Sequence, residues 1–227
     1  MKSVAIITAR GGSKRIPRKN IRLFCGKPII AYSIEVALSS NLFDEVMVST
    51  DDEEIAKVAK SYGAVVPFMR SAAASNDFAS TVDVLVEVLE TYKTKAQLFD
   101  YACCIYPTAA LMTTQRLQEG FKLMMENRYD TVFTVQRFRY PIQRALKVNP
   151  AGGISMFWPE NLNKRSQDLP PAFHDAGQFY WFDTVSFEQN KTLWTQHSRV
   201  MELAENEAQD IDDLEDWRLA ELKYKCK

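Results

Sequence analysis

The residue types best suited to chemistry are concentrated in a short basic loop near the start of the chain. Ser3 to Ala9 is an almost continuous apolar run, typical of a strand buried on both faces of a parallel sheet. The loop after it carries Gly11, Gly12 and five cations, namely Arg10, Lys14, Arg15, Arg18 and Lys19. We expect the glycines to allow positive φ and to let backbone N–H groups surround one anion. Since α/β proteins bind ligands where strands end, the pattern favours a polyanion such as a nucleoside triphosphate over a solvated basic loop.

Two common phosphate-binding loops are absent. The Walker A pattern G-x-x-x-x-G-K-[ST] does not occur, and neither does the dinucleotide fingerprint G-x-G-x-x-G. The basic loop is therefore neither a Walker A loop nor a dinucleotide fingerprint.

An acidic pair near the end of the chain is the second candidate for chemistry. In extended chain, Asp210 and Asp212 face the same side while Ile211 faces the core. Such a pair could hold Mg²⁺, which prefers oxygen ligands. The alternative is an ordinary helix start, because Asp212 and Asp213 precede a predicted helix and carboxylates are favoured there. Spacing alone leaves both interpretations open.

The composition narrows the class of protein. The chain has 227 residues, 46% hydrophobic and 25% charged, which suits one α/β domain with a small insertion. The formal net charge of -1 gives no field that favours nucleic acid or an anionic membrane. No apolar run reaches the length of a membrane span, and the first one ends at Arg10, too early for a signal peptide core. We expect a cytoplasmic protein with neither nucleic acid nor membrane as a partner.

Cysteine and histidine usage argues against several kinds of site. The four cysteines show no zinc-site spacing and are expected to be reduced: Cys25, Cys103, Cys104 and Cys226. Adjacent Cys103 and Cys104 are predicted to face opposite sides of a strand as small core residues. The two histidines, His174 and His197, are isolated, so a two-histidine metal site or a Ser-His-Asp triad has little support.

Apolar periodicity predicts alternating strands and helices. Strands are predicted at 3–9, 45–50, 64–69, 101–106 and 131–135, with helices at 28–40, 51–63, 80–93 and 113–127. Later elements are weak strands at 145–148 and 154–158, a strand at 177–182, a helix at 183–190, a strand at 199–203 and a helix at 212–225. Asp51 with Glu54 is predicted to start the second helix. This order indicates an α/β fold with a mostly parallel sheet flanked by helices.

One segment breaks the alternation. Residues 138–176 are rich in Pro, Asn, Arg and Gln and show only weak strand character. We interpret this segment as an insertion that folds against the main sheet or against another subunit. The predicted main domain comprises residues 1–137 and 177–227.

Several ordered blocks resemble one enzyme family. They are Ala9 to Arg15, Lys19-Asn20, Val48 to Asp51, Arg70, Asp77 to Thr81, Tyr106 to Thr108, Gly177 to Tyr180, and Asp210 to Asp212. Together they resemble the CMP-sugar synthetases, the cytidylyltransferases that activate nonulosonic acids such as sialic, legionaminic and pseudaminic acid. The resemblance implies a Rossmann-like domain of the nucleotide-diphospho-sugar transferase type, with a small dimerisation insertion and therefore a homodimer.

The resemblance also implies a reaction and a set of site residues. CTP and an acidic nine-carbon sugar would give the CMP-sugar and pyrophosphate with the help of Mg²⁺, for surface glycan or glycoprotein biosynthesis. Catalytic roles fall to Arg10, Lys19 and Asp212, and metal binding to Asp210 and Asp212. The implied nucleotide ligands are Gly11, Gly12, Ser13, Lys14, Asn20, Arg70, Asp77 and Ser80. The implied sugar contacts are Tyr106, Arg165, His174, Asp175, Gln178 and Tyr180.

Two stretches indicate the branch of the family. Arg165 to Leu169 and His174 to Gly177 are similar to pseudaminic acid cytidylyltransferases. Sialic acid enzymes usually carry Gln where this chain has Tyr106, and Arg-Pro-Asn-Gly in place of the His174 stretch. Arg165 is the expected partner of the sugar carboxylate, although on sequence alone it could be an exposed arginine in a polar loop. CMP-sialic or CMP-legionaminic acid synthesis and a non-catalytic nucleotide-binding module are the alternatives, and the acidic pair counts against the module.

Overall fold

The computed structural model describes residues 1–227 as ten strands and six α-helices. The strands are β1 (Ser3–Thr8), β2 (Leu23–Phe24), β3 (Lys27–Pro28), β4 (Glu45–Ser49), β5 (Tyr101–Ile105), β6 (Thr131–Arg137), β7 (Leu146–Val148), β8 (Ile154–Met156), β9 (Phe173–Asp183) and β10 (Ser198–Glu202). The helices are α1 (Ile29–Ser39), α2 (Glu53–Ser61), α3 (Thr81–Thr94), α4 (Thr114–Asn127), α5 (Thr184–Asn190) and α6 (Leu214–Lys225).

Six strands form one central sheet in the order β10-β6-β9-β5-β1-β4. β1 runs parallel to β4 and β5, and β6 runs parallel to β10. β9 is antiparallel to both of its neighbours, β5 and β6. The sheet is therefore mixed, with β9 alone reversed, and the predicted α/β fold with a mostly parallel sheet is confirmed. Since the other strands share one direction, β1, β5 and β6 all end at the same edge.

Helices cover both faces of this sheet. One core includes Ile34 of α1 and Leu117 of α4, and the core on the opposite face includes Leu85 of α3. Cys103 belongs to the first core and Cys104 to the second, as strand alternation predicts. Both thiols are free and fully buried.

A third apolar cluster joins the two ends of the chain. Ile16 of the basic loop and Phe24 of β2 pack with Ile211 and with Trp217 of α6. Ile211 is 1% exposed, so its predicted core position is confirmed. This cluster brings the acidic segment before α6 to the basic loop after β1.

Three predicted boundaries are wrong. The strand expected at 64–69 is reduced to a single bridge between Val65 and Met47. The second helix is capped by Asp52, whose carboxylate accepts from two backbone N–H groups, rather than by Asp51. β9 starts at Phe173 instead of Gly177. The strand is interrupted at Gly177, which has a φ of +63° beside a register shift in the β6–β9 pairing. This interruption obscures the first residues of β9 in the sequence pattern. The predicted insertion therefore rejoins the sheet before residue 176.

The rest of the insertion stands outside the main sheet. β7 and β8 form a small antiparallel hairpin, followed by 3-10 turns at Pro159–Asn161 and Ser166–Asp168. Its apolar side chains are poorly covered: Val148 is 67% exposed, Ile154 69% and Phe157 54%.

None of the six helices has both the length and the apolar character needed to cross a bilayer.

Candidate active site

A cleft of about 350 Å³ lies at the edge where β1 and β5 end. It is formed by the basic loop, the segment before α3, the residues after β5 and the acidic segment before α6. Many predicted site residues line it: Arg10, Ser13, Lys14, Lys19, Asn20, Arg70, Asp77, Ser80, Tyr106 and Asp210. We refer to it as the first cleft.

The basic loop is shaped by internal hydrogen bonds, and the predicted reason for its glycines is wrong. Asn20 is 4% exposed and donates from Nδ2 to the Arg10 carbonyl at 2.9 Å. Neither Gly11 nor Gly12 has a positive φ. A Cβ at Gly11 would lie 2.7 Å from Asp52 Oδ2, so glycine permits close approach to the α2 cap. The Gly11 N–H donates to Asp51 Oδ1 at 2.9 Å and would have to exchange this partner for a phosphate, so its predicted role stays a prediction.

Lys19 connects the basic loop to the acidic segment. Its Nζ donates to the Ile211 carbonyl at 2.8 Å, across 192 residues of sequence. Burial lowers the pKa of Lys19, and the nearby carboxylates of Asp210 and Asp212 oppose that effect. The ammonium group is therefore fixed in the first cleft between the two predicted metal ligands.

Asp77 holds two of the loop's cations. Its Oδ1 is 3.2 Å from Arg10 Nη1 and its Oδ2 is 2.5 Å from Lys14 Nζ. The hydrogen bond from Lys14 is the main reason that the pKa of Asp77 lies below its usual value. A phosphate group that approached these cations would compete with this carboxylate.

Arg70 and Ser80 form the opposite wall of the first cleft. Arg70 is 8% exposed and donates from Nε and Nη2 to the Ser49 hydroxyl and carbonyl, at 3.0 and 2.5 Å. Burial lowers its pKa. Ser80 caps α3, accepting from the Asp83 N–H at 3.2 Å in a capping box. The side-chain positions of Arg70 and Ser80 are therefore fixed by these hydrogen bonds without a ligand.

The acidic pair is not the helix cap. Asp213 caps α6, accepting from the N–H groups of Glu215 and Asp216 at 2.8 and 3.0 Å. Asp212 instead pairs through Oδ1 with Arg15 Nη2 at 2.6 Å, and Asp210 lines the first cleft. Burial, with help from Asp212, raises the pKa of Asp210. The helix-start interpretation is therefore wrong for Asp210 and Asp212.

The predicted metal ligands at this edge are the two carboxylates of Asp210 and Asp212. No group of three or more His, Cys, Asp or Glu side chains is arranged to hold an ion. The two carboxylates nevertheless suit a hard cation such as Mg²⁺, because a bound cation would relieve the repulsion between their negative charges in this partly buried place. The remaining ligands would have to be oxygens of a bound substrate or water.

A second cleft, of about 560 Å³, meets the first at Asp210. His174 lines it, with its ring packed edge-on against Phe138 at a centroid distance of 4.9 Å. The other residues around it come from the ends of β6 and β10, the segment after β10, and α6: Gln136, Arg137, Arg139, Glu202, Leu203, Ala204, Glu205, Gln209 and Lys223.

A polar chain lies at the start of β9. Tyr180 donates its hydroxyl to Asp175, whose other oxygen accepts from the Gly177 N–H at 2.8 Å. The Tyr106 ring lies 6.1 Å from the Tyr180 ring, and burial raises the pKa of Tyr106 to about 12. Both phenols thus remain protonated at neutral pH. Asp175 organises this turn as well as being a predicted sugar contact.

Four of the six predicted sugar contacts do not line either cleft: Arg165, Asp175, Gln178 and Tyr180. Gln178 is 2% exposed and donates from Nε2 to the Glu207 carbonyl at 2.6 Å. Its strand position buries it, and its direct sugar contact stays a prediction. Arg165 lies on the insertion and pairs with Asp168 through Nε and Nη2, at 2.7 and 3.0 Å. The signal for this pairing was present in the sequence, because Asp168 follows Arg165 by three residues.

Sequence reasoning missed two features of the site. One is the pairing of Arg15 with Asp212, which no spacing rule could reveal. The other is the second cleft with Arg137 and Arg139. A signal for it was present, because both arginines follow the predicted strand at 131–135 and so belong to the ligand-binding edge.

Comparison with known proteins agrees with this geometry. A family model described as cytidylyltransferase matches residues 4–223. A pseudaminic acid cytidylyltransferase of Campylobacter jejuni is 44% identical over 99% of this chain and 97% of its own length. An N-acylneuraminate cytidylyltransferase A of Danio rerio is 37% identical over 96% of this chain and 50% of its own length.

A solved structure has the same fold. It is a CMP:2-keto-3-deoxy-manno-octonic acid synthetase complexed with CTP, with a TM-score of 0.70, 19% identity and 98% coverage of both chains. With the family model extending over almost the whole chain, these findings show that the chain is an enzyme of the cytidylyltransferase family.

Proposed function

We propose that this protein is a Mg²⁺-dependent cytidylyltransferase that joins CTP and pseudaminic acid to give the CMP-sugar and pyrophosphate. The observation that carries the proposal is the 44% identity, over nearly both full lengths, to an enzyme named for this substrate. The pathway it would serve is surface glycan or glycoprotein biosynthesis. CMP-sialic or CMP-legionaminic acid synthesis is the alternative, with the 37% identity to an N-acylneuraminate enzyme as its support.

The first cleft suits a nucleoside triphosphate. Lys14, Arg10 and Lys19 line it and would offset charge on the phosphates. The Ser13 N–H donates within the loop, to the Gly11 carbonyl at 3.0 Å, and would exchange this partner for an incoming phosphate. Arg70 and Ser80 would border the cytidine, as the family resemblance implies.

The reaction is an in-line attack by the sugar's anomeric hydroxyl on the α-phosphorus, with pyrophosphate leaving. The protein contributes position and charge rather than a covalent nucleophile. Asp210, at the junction of the two clefts, would help to orient the attacking hydroxyl. Asp212, the expected base, would first exchange its Arg15 partner for the reacting groups.

Asp210 and Asp212 would hold Mg²⁺. When bound, this ion would neutralise phosphate charge and favour ionisation of the attacking hydroxyl. Lys19, fixed between the two carboxylates, would keep them in place until substrate arrives.

The direct test is pyrophosphate release from CTP with a panel of pseudaminic, legionaminic and N-acetylneuraminic acids. Release with pseudaminic acid, dependent on added Mg²⁺, is expected. Release without any sugar, or with none of the panel, would overturn the proposal.

Arg10→Ala and Lys19→Ala are expected to lower kcat about tenfold or more and to raise the KM for CTP less. Charge-assisted hydrogen bonds contribute roughly 1.5–3 kcal/mol, and cations aimed at developing charge act mainly on the transition state. Steady-state kinetics with CTP varied at saturating sugar provide the measurement. Arg18→Ala is the matched control, because Arg18 pairs with Asp52 and Glu54 on α2 and does not line the first cleft. A change in KM alone would make Arg10 and Lys19 simple anchors for the triphosphate.

We expect a homodimer formed through residues 138–176. Trp158 is 42% exposed and Phe173 41%, in addition to the uncovered hairpin, and these side chains need a partner surface. Light scattering at working concentration should give twice the chain mass, and Ile154→Asp with Phe157→Asp should shift it toward the monomer. A monomeric wild-type protein would contradict this. The predicted role of Arg165 depends on the same dimer, because within one chain it lies outside both clefts.

A further inference from the structure

The segment that carries Asp210 has little regular structure of its own. It runs from residue 203 to residue 213, between β10 and α6, and its one helical part is a 3-10 turn at Glu205–Glu207. A segment of this kind keeps a single conformation only where side chains from other elements hold it. The position of Asp210 therefore depends on contacts from the rest of the molecule.

One of these contacts is a bidentate ion pair from α4. Arg116 donates from Nε and Nη2 to the two carboxylate oxygens of Glu207, at 2.8 and 2.9 Å. These hydrogen bonds are the main reason that the pKa of Glu207 lies below its usual value. The helix itself is fixed in the core, because Leu117 next to Arg116 is fully buried. Arg116 thus joins Glu207 to a rigid element with the strongest kind of hydrogen bond that side chains make.

Strand β9 holds the backbone of the same residue. Gln178 is buried and donates from Nε2 to the Glu207 carbonyl at 2.6 Å. The residue before it contacts the acidic segment, since a Cβ at Gly177 would lie 3.6 Å from Asp210 Oδ1. Glu207 is therefore held by both its side chain and its carbonyl, three residues before Asp210, and Ala208 between them is fully buried.

The residues of this anchor lie outside the two clefts. Arg116, Glu207 and Gln178 line neither the first cleft nor the second, so a substrate bound in either would not contact them. Any effect of the ion pair on the reaction has to pass through the segment to Asp210.

We propose that Arg116 is a positioning residue, which through Glu207 holds the segment that presents Asp210 to the reacting groups. This inference rests on the proposed function, since the position of Asp210 matters only if its carboxylate takes part in the reaction. A displacement of about 1 Å in a reacting group can cost roughly a hundredfold in rate. The ion pair therefore acts on turnover although no substrate reaches it.

The kinetic test compares Arg116→Ala with Glu119→Gln. Arg116 also donates from Nη1 to Glu119 at 2.9 Å, so Glu119→Gln removes a neighbouring charge on α4 and leaves the Glu207 pair intact. Arg116→Ala should lower kcat about tenfold or more and keep the KM values for CTP and the sugar acid within about twofold. Glu119→Gln should change none of these constants. Arg116→Lys should recover part of the loss, because lysine keeps the charge without the bidentate geometry. A wild-type kcat for Arg116→Ala, or a change in KM alone, would overturn the inference.

Hydrogen exchange of the ligand-free protein gives a readout that is independent of catalysis. Amides of residues 203–213 should exchange about tenfold faster or more in Arg116→Ala than in the wild type, and at wild-type rates in Glu119→Gln. Glu207→Gln keeps the shape of the side chain and removes its charge, so it should behave like Arg116→Ala and replaces it if that variant does not fold.

The double variant decides whether the two residues act together. Arg116→Ala combined with Glu207→Gln should lose no more kcat than Arg116→Ala alone, because both changes break the same ion pair. Additive losses, or unchanged exchange of residues 203–213 in the single variants, would overturn the inference. A wild-type protein that releases no pyrophosphate with any sugar acid would instead refute the proposed function.

Discussion

Asp210→Asn is expected to reduce turnover by at least about 1,000-fold, and Asp212→Asn to do the same, with the fold intact. A metal at a reacting phosphate contributes several kcal/mol of transition-state stabilisation, and each 1.36 kcal/mol is tenfold in rate. Removing one of only two carboxylates halves the charge available to the ion. Pyrophosphate release across a Mg²⁺ titration measures the loss, and wild-type rates in Asp210→Asn at limiting Mg²⁺ would remove Asp210 from the metal site.

The same substitution should not destabilise the ligand-free protein at neutral pH. The pKa of Asp210 is raised in the folded chain, chiefly by burial, so folding favours its protonated form. The stability from this group is present below the unfolded pKa of about 3.9 and is lost as pH rises through the folded value. At pH 7 asparagine removes an unfavourable charge, and thermal melting should show an unchanged or slightly higher Tm for Asp210→Asn. A lower Tm would mean that loss of structure contributes to the loss of activity.

Asp213→Ala is the matched control for these carboxylates. Asp213 caps α6 and lines neither cleft, so its loss should cost about 0.5–2 kcal/mol of stability. Turnover at a temperature where the variant is folded should remain close to that of the wild type. Three neighbouring aspartates would thus separate into two that act on the reaction and one that holds the helix.

Much of the fold could be predicted because local patterns and the sheet agree. The buried run of β1, the capping box at Ser80 and the alternation of strands and helices each specify an element without long-range information. The reversed strand β9 could not be predicted in full. Gly177 and the register shift interrupt its apolar pattern near the edge of the sheet where β1 and β5 end.

The candidate site was predictable where residues follow strands and unpredictable where partners come from distant segments. Arg10, Lys19 and Tyr106 line the first cleft because they follow β1 and β5. The partners that modify their roles lie far away in sequence: Asp77 for Arg10 and the Ile211 carbonyl for Lys19. Gln178 illustrates another point, because the sequence does not reveal that this polar residue of β9 is buried and bonded to a backbone carbonyl.

The substrate preference is expected to be strong. Pseudaminic and N-acetylneuraminic acids both carry the C1 carboxylate, so an arginine serves either sugar and cannot distinguish them. Discrimination must come from groups that face the ring substituents. Two residues that differ from the usual sialic acid pattern line the clefts, His174 in the second and Tyr106 in the first. Asp175 differs as well, and its bonds to Tyr180 and the Gly177 N–H fix the turn next to Asp210.

We therefore expect kcat/KM for pseudaminic acid to exceed that for N-acetylneuraminic acid by about a hundredfold or more. A mispaired buried polar group costs roughly 1–3 kcal/mol, and two such mismatches multiply to this factor. The measurement is kcat/KM for both sugars at saturating CTP. Tyr106→Gln and His174→Arg should each narrow the ratio, whereas Arg165→Ala should impair both sugars alike without weakening CTP binding. Comparable kcat/KM for the two sugars would refute the assignment to pseudaminic acid, while the cytidylyltransferase reaction would still stand, because the use of CTP does not depend on which acid is the acceptor.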